Sequence, residues 1–228
     1  MIRLSDVRHA YGEAVVLDGI DLELTEQRIG VVGANGSGKS TLARLLNGLV
    51  LPTRGSVTVD GLDTRHEGAA VRRRVGFVFT DPDAQIVMPT VAEDVEFSLR
   101  RKDISRTERR ALVTEALARY GLEGLGDRPA HLLSGGQKQL LALAAVLVTE
   151  PAVLVCDEPT TLLDLRNSLR VAELVAGLPQ QVVMVTHHLD LLADYDRVVV
   201  VDEARVAFDG RPAEAIACYR GLMQRAGP

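Results

Sequence analysis

The sequence predicts an α/β protein in which strands near both ends of the chain frame a helical insertion. Three observations predict it. Short β-branched runs stand at residues 29–32, 153–156 and 182–185, a Gly-rich turn follows the first directly, and helix-spaced apolar residues fill the middle. Continuous apolar runs of this length with polar C-terminal ends mark parallel strands buried on both faces.

In chain order, residues 2–24 hold two short alternating runs around a turn at 9–13, which reads as paired strands. Residues 29–32 read as a buried strand, and Leu42, Leu45, Leu46 and Leu49 then carry a helical spacing. Pro52-Thr53-Arg54-Gly55 breaks the chain, Val57 and Val59 alternate before an Asp60-Gly61 turn, and 75–79 is another apolar strand. The stretch from 91 to 148 is mostly helical. One helix covers 107–120, with Leu112, Ala116, Leu117 and Tyr120 on one face, and a second opens at Ser134. A helix over about 165–176 separates the strands at 153–156 and 182–185, and residues 197–201 and 205–208 form a closing hairpin around Glu203-Ala204.

Composition excludes several classes. The chain has 228 residues, of which 25% are charged and 46% hydrophobic, ordinary globular usage that argues against a disordered or fibrous protein. Twenty-six Lys and Arg against 31 Asp and Glu give a net charge of −5, without the basic excess of a nucleic-acid-coating protein. The apolar run from Leu140 to Val148 falls far short of the roughly 20 residues that span a bilayer. Charges stand in the N-terminal segment where a signal peptide needs an apolar stretch. Cys156 and Cys218 are the two cysteines, which suits a reducing compartment and excludes a disulfide scaffold or a Cys-based zinc site. These features predict a soluble cytoplasmic protein.

The Gly-rich turn is chemically explicit. Gly33-Ala34-Asn35-Gly36-Ser37-Gly38-Lys39-Ser40 fits G-x-x-x-x-G-K-[ST] without a mismatch, after a strand and before a helix, with Thr41 next in line. Glycines let successive N–H groups curl around a phosphate, and the helix N-terminus adds a favourable dipole. In such a loop Lys39 reaches the β- and γ-phosphates and the Ser40 hydroxyl is a Mg²⁺ ligand. The strand at 153–156 runs into Asp157-Glu158, which places carboxylates at its C-terminal edge, where open α/β sheets bind ligands. Asp157 is read as a Mg²⁺ ligand and Glu158 as the base that polarises attacking water. For an isolated acidic pair before Pro159, charge compensation of a helix N-terminus is the competing explanation.

Leu133-Ser134-Gly135-Gly136-Gln137 lies between these two elements and, taken alone, is a good helix N-cap. The ordered series Tyr11, Gly33 to Ser40, Leu133 to Gln137, Asp157-Glu158, Asp164 and His187 resembles the ATP-binding cassette (ABC) family, over residues 2 to about 219. The resemblance implies a P-loop NTPase core of mixed sheet with an antiparallel β-subdomain, plus an inserted α-helical subdomain. It assigns 1–90 and 150–228 to the core and 91–149 to the helical part of a single domain, 1–228. It implies ATP and Mg²⁺ as ligands and a pair of cassettes, homodimeric or with a paralogue. Tyr11 then matches the aromatic that stacks on adenine. Ser134, Gly135, Gly136 and Gln137 match the signature that completes a partner's site. Asp164 matches the loop that crosses the dimer interface, and His187 the switch histidine at the γ-phosphate. His188 has no family role.

Residues 79–85, Phe-Thr-Asp-Pro-Asp-Ala-Gln, followed by Pro-Thr-Val-Ala-Glu-Asp-Val at 89–95, resemble the energy-coupling factor (ECF) branch of vitamin and metal importers. The chain departs from the family at one position: Thr80 stands where the Q-loop glutamine belongs, and Gln85 matches a different, branch-specific position. The metal-sensing role of the Q-loop is therefore assigned to neither residue. Among ECF systems the chain is most similar to biotin-importer ATPases, with cobalt or nickel importers the alternative. The resemblance implies a transmembrane coupling subunit and a substrate-binding membrane subunit, no nucleic acid, and a peripheral place on the cytoplasmic face of the membrane. The basic groups Arg72-Arg73-Arg74, Arg100-Arg101-Lys102 and Arg109-Arg110 are either a solvated face or a face toward lipid headgroups or a membrane subunit. A DNA-maintenance ABC protein would need a long coiled coil before the signature, and only about a hundred residues without sustained heptads stand there.

Overall fold

The computed structural model describes residues 1–225; the last three positions of the expected 1–228 domain lie outside the described residues. Contacts divide the chain into two compact units. One comprises residues 1–75, 152–158 and 178 onward, the other 76–151 and 159–177.

The first unit holds two sheets. In the antiparallel one, β1 (Ile2–Tyr11) pairs with β2 (Ala14–Leu24) and with β4 (Arg54–Val59), which pairs in turn with β5 (Leu62–Asp63). The turn between the first two strands is tighter than the 9–13 reading: strand pairing continues to Tyr11↔Ala14, leaving Gly12 and Glu13 to reverse the chain. In the second sheet β3 (Arg28–Val32) lies parallel to both β8 (Gln181–Val185) and β9 (Arg197–Asp202). There β7 (Val153–Asp157) runs parallel to β8, and β10 (Arg205–Gly210) closes the expected hairpin antiparallel to β9. The strands β3, β7 and β8 are almost wholly buried, as their unbroken apolar runs require.

Between β3 and β4, α1 (Lys39–Leu46) buries Leu42, Leu45 and Leu46. Leu49 does not continue that stripe. Gly48 takes a left-handed φ of 69°, the chain turns there, and Leu49 ends up 47% exposed. Two helices escape the apolar-spacing argument: α2 (Gly68–Arg74), which buries Val71 alone, and α7 (Pro212–Arg225), which buries Ala215 and packs on β9 and β10. Helices with one buried anchor carry too little periodicity to be read.

The strand β6 (Val75–Val78) leads into the second unit. That unit contains α3 (Val91–Ser98), α4 (Arg106–Arg119), α5 (Gly135–Leu147) and α6 (Leu165–Ala176). Each has a polar N-cap: Thr90, Ser105, Ser134 and Asp164 accept from backbone amides three residues on. The helix α5 is the unit's core, burying Leu140 through Ala145. No helix of the described residues is long and apolar enough to cross a membrane.

Candidate nucleotide site

The loop after β3 is built as an anion cradle. Gly38 has φ 106°, and a Cβ there would sit 2.5 Å from the Val16 carbonyl oxygen, so only glycine fits. No side chain caps α1, which leaves the amides of its first turn for an external acceptor. Val16, Gly36, Gly38, Lys39, Ser40 and Thr41 line a cavity of about 260 Å³. Lys39 is buried, and its Nζ donates to the Ala34 carbonyl at 2.8 Å, within its own loop. Burial pushes the ammonium below its ordinary pKa, and the charges of Glu158 and Asp157 work in the opposite direction. The Ser37 hydroxyl is buried without a hydrogen-bond partner. A buried cation and open amides around one hollow fit a polyphosphate.

At the carboxyl end of β7, Asp157 is 1% exposed and accepts from the Ser40 hydroxyl at 2.9 Å. Burial raises its pKa, while the Ser40 bond and the nearby Arg44 and Lys39 charges lower it. Arg44 comes within 3.7 Å of the Asp157 carboxylate. The sequence reading missed this residue, although Ser40 and Arg44 stand four apart and so share one face of α1. The oxygens of Ser40 and Asp157 form a hard donor set suited to Mg²⁺. Among the described residues no cluster of three or more His, Cys, Asp or Glu forms a metal cage. Mg²⁺ is commonly held by one or two protein oxygens together with substrate phosphates, which is the arrangement these residues fit.

Glu158 adopts φ 54°, unusual for a residue with a Cβ and worth about 1–3 kcal/mol of local strain. Its amide donates to the Val185 carbonyl at 2.9 Å, which ties the turn to β8. Pro159 disfavours the right-handed helical region for the residue before it, so the chain cannot simply relax into a helix here. The Glu158 carboxylate meets His187 Nδ1 at 2.7 Å. His188 stacks obliquely on His187, with ring centroids 4.1 Å apart. The structure thus brings Lys39, Ser40, Asp157, Glu158 and His187 to one edge of the sheet. Tyr11 ends β1 and is half exposed.

In the second unit, Ser134 and Gln137 form a reciprocal capping box: Gln137 N donates to Ser134 Oγ at 3.3 Å and Ser134 N to Gln137 Oε1 at 3.0 Å. Gly135 is exposed, and Gly136 is buried against Asn167 of α6. Asp164 caps α6 through Asn167 N at 2.8 Å and also accepts from Asn167 Nδ2 at 2.9 Å. Gln85 turns inward: its Oε1 accepts from Phe79 N at 3.2 Å and its Nε2 donates to the Ala142 carbonyl at 3.3 Å. Thr80 is half buried just after β6. Among the basic groups, Arg100 lies over the Phe97 ring at 3.9 Å and Lys102 pairs with Glu150 at 3.4 Å.

Comparison with known proteins gives this arrangement a family. Residues 17–161 match the family described as ABC transporter. The chain is 49% identical to the biotin transport ATP-binding protein BioM of Rhizobium etli, over 93% of this chain and 95% of that one. It is 45% identical to the energy-coupling factor transporter ATP-binding protein EcfA1 of Symbiobacterium thermophilum, over 92% of this chain and 79% of that one. Among solved structures it is similar to cbiO1 of Clostridium perfringens, described as part of the ABC transporter complex cbiONQ, with TM-score 0.84, 33% identity and coverage of 98% and 93%. A dimeric ATP-binding cassette in a post-hydrolysis state, bound to ADP and phosphate, aligns with TM-score 0.81, 29% identity and coverage of 93% and 99%. The chain belongs to the ABC transporter family, as an ATP-binding and ATP-hydrolysing protein of the energy-coupling factor type.

Proposed function

We propose that the chain is the motor subunit of an importer, hydrolysing ATP with Mg²⁺ in a pair of cassettes on the cytoplasmic face of the membrane and driving biotin uptake. The observation that carries the hydrolytic part is the convergence of the Ser40–Asp157 pair and the Glu158–His187 pair beside the Lys39 loop. In this reading Gly33 to Thr41 wrap the phosphates, and Lys39 neutralises charge that grows on them during transfer. Ser40 and Asp157 would hold Mg²⁺, which would supply positive charge against the phosphates. Glu158 accepts the proton of the attacking water, and His187 orients that carboxylate and meets the γ-phosphate.

Ser134 to Gln137 and Asp164 serve the partner cassette rather than this one. The exposure of Ser134 and Gly135 at the N-terminus of α5 supports that reading. The similarity to a dimeric cassette supports the pairing, and the similarity to a member of a transporter complex supports a membrane partner. Biotin as cargo rests on the similarity to BioM.

The test is to co-express the chain with the membrane proteins encoded beside it, reconstitute the complex in vesicles with ATP, and measure uptake of labelled biotin and of cobalt. ATP-dependent biotin uptake is expected. Cobalt uptake without biotin uptake would overturn the cargo, and co-purification with ribosomes or DNA in place of membrane proteins would overturn transport.

A further inference from the structure

His9 stands two residues before Tyr11 on β1 and is 7% exposed. Its Nδ1 lies 2.9 Å from the Leu51 carbonyl oxygen. A carbonyl only accepts, so Nδ1 donates to it, and the buried Nε2 is left with no partner. Such an orphan costs at least as much as one neutral hydrogen bond returns, so stability alone does not explain a histidine here. The bond does fix the plane of the ring. Against that plane the Tyr11 ring stands edge-on, with centroids 4.6 Å apart and an interplanar angle of 80°, a favoured aromatic geometry.

The register of β1 shows why the two rings meet. Strict alternation would put residues 9 and 11 on one face, yet the pairing with β2 shifts between His9 and Ala10. An irregularity of this kind re-aims the following side chain, so Tyr11 reaches solvent while its ring still touches the buried imidazole. The other end of the link is equally specific. Leu51 follows the exit from α1, where the amides of Leu49 and Val50 both return to the Arg44 carbonyl. His9 therefore connects the strand that bears Tyr11 with the chain leaving the phosphate-loop helix.

We propose that His9 is a positioning residue for the base: pinned to the Leu51 carbonyl, its imidazole sets the tilt of the Tyr11 ring relative to the phosphate loop. This rests on the reading of Tyr11 as the adenine partner. His9 touches no nucleotide itself, because both ring nitrogens are turned into the protein.

The experiment uses the full chain, which contains no tryptophan, so Tyr11→Trp supplies a single fluorescent reporter of stacking. His9→Ala, His9→Phe and Tyr11→Ala are compared for KM and kcat with ATP and for inhibition by inorganic tripolyphosphate, which has no base. His9→Ala is expected to raise KM for ATP about three- to tenfold, the size of one aromatic contact, with the loss on KM rather than kcat. Tripolyphosphate inhibition stays as in the parent, and the quenching by ATP of the indole introduced by Tyr11→Trp weakens when His9→Ala is added. His9→Phe fills the space without the donor; it keeps the melting temperature and still raises KM. An unchanged KM in His9→Ala beside a raised KM in Tyr11→Ala would overturn the role of His9 and leave stacking intact. An unchanged KM in Tyr11→Ala would overturn the stacking reading itself. Equal weakening of ATP and tripolyphosphate would show that the effect runs through the phosphate loop, and would overturn the proposal.

Discussion

His187 Nδ1 and Glu158 Oε2 lie 2.7 Å apart, joining the end of β8 to the strained turn after β7. With Glu158 ionised the ring nitrogen donates, so the carboxylate is held in one orientation by a side chain that is itself half exposed. The left-handed Glu158 backbone stands beside this pair, its amide held by the Val185 carbonyl. That conformation points the carboxylate back toward β8 instead of along the chain toward Pro159.

His187→Ala removes the ring donor, leaving the His187 amide 3.4 Å from Glu158 Oε2, and is expected to lower kcat at least about tenfold while ATP binding persists, in the range set by misplaced acid–base groups. Phosphate release and nucleotide affinity measured on the same preparation check it. An unchanged kcat would contradict the orienting role.

Gly136→Ala addresses the signature helix. The added Cβ would sit 2.5 Å from Asn167 Oδ1, and Asn167 can withdraw only by giving up its 2.9 Å bond to Asp164. Overpacking of this kind costs about 1–3 kcal/mol. In a chain of this size that is a melting temperature lower by about 2–4 °C for each kcal/mol. Adding Asn167→Ser is expected to recover most of the loss, as thermal unfolding of the single and double variants would show.

Gln85→Ala separates the two residues of the Q-loop region. Gln85 spends both ends of its amide on Phe79 N and the Ala142 carbonyl. Removing it is expected to cost about 1–3 kcal/mol of stability, two neutral hydrogen bonds, while the Mg²⁺ dependence of hydrolysis stays unchanged. A shifted Mg²⁺ requirement with an unchanged melting temperature would contradict this.

Asp94 gives a pH signature. Its Oδ1 accepts from Val87 N at 2.9 Å and Met88 N at 3.0 Å, yet burial outweighs both bonds and holds the carboxyl above the usual range. A carboxyl with a raised folded pKa favours the native state below the unfolded value, and that contribution is lost as pH rises through the folded value. Asp94→Asn removes the slope. The melting temperature of the variant relative to the parent is therefore expected to climb from about pH 4 upward until the carboxyl is fully ionised. Parallel curves over that range would contradict it.

Much of this was legible in the sequence because it depends on local rules. Unbroken apolar runs mark β3, β7 and β8, and Ser134 caps its helix whatever surrounds it. The phosphate loop was legible because its spacing and its place between strand and helix are themselves the chemistry. What stayed hidden depends on long-range geometry. Nothing in residues 79–85 says that Gln85 folds back onto Phe79, and the bond from His9 to Leu51 spans 42 positions. The αL conformation of Glu158 is equally invisible, since glutamate has no propensity for it and the tertiary setting imposes it.

The central claim is that Glu158 is the base for ATP hydrolysis, and steady-state phosphate release by Glu158→Gln tests it most directly. A base in that position predicts a fall of about 10²–10⁴-fold with ATP still bound. Hydrolysis at the parent rate would contradict it.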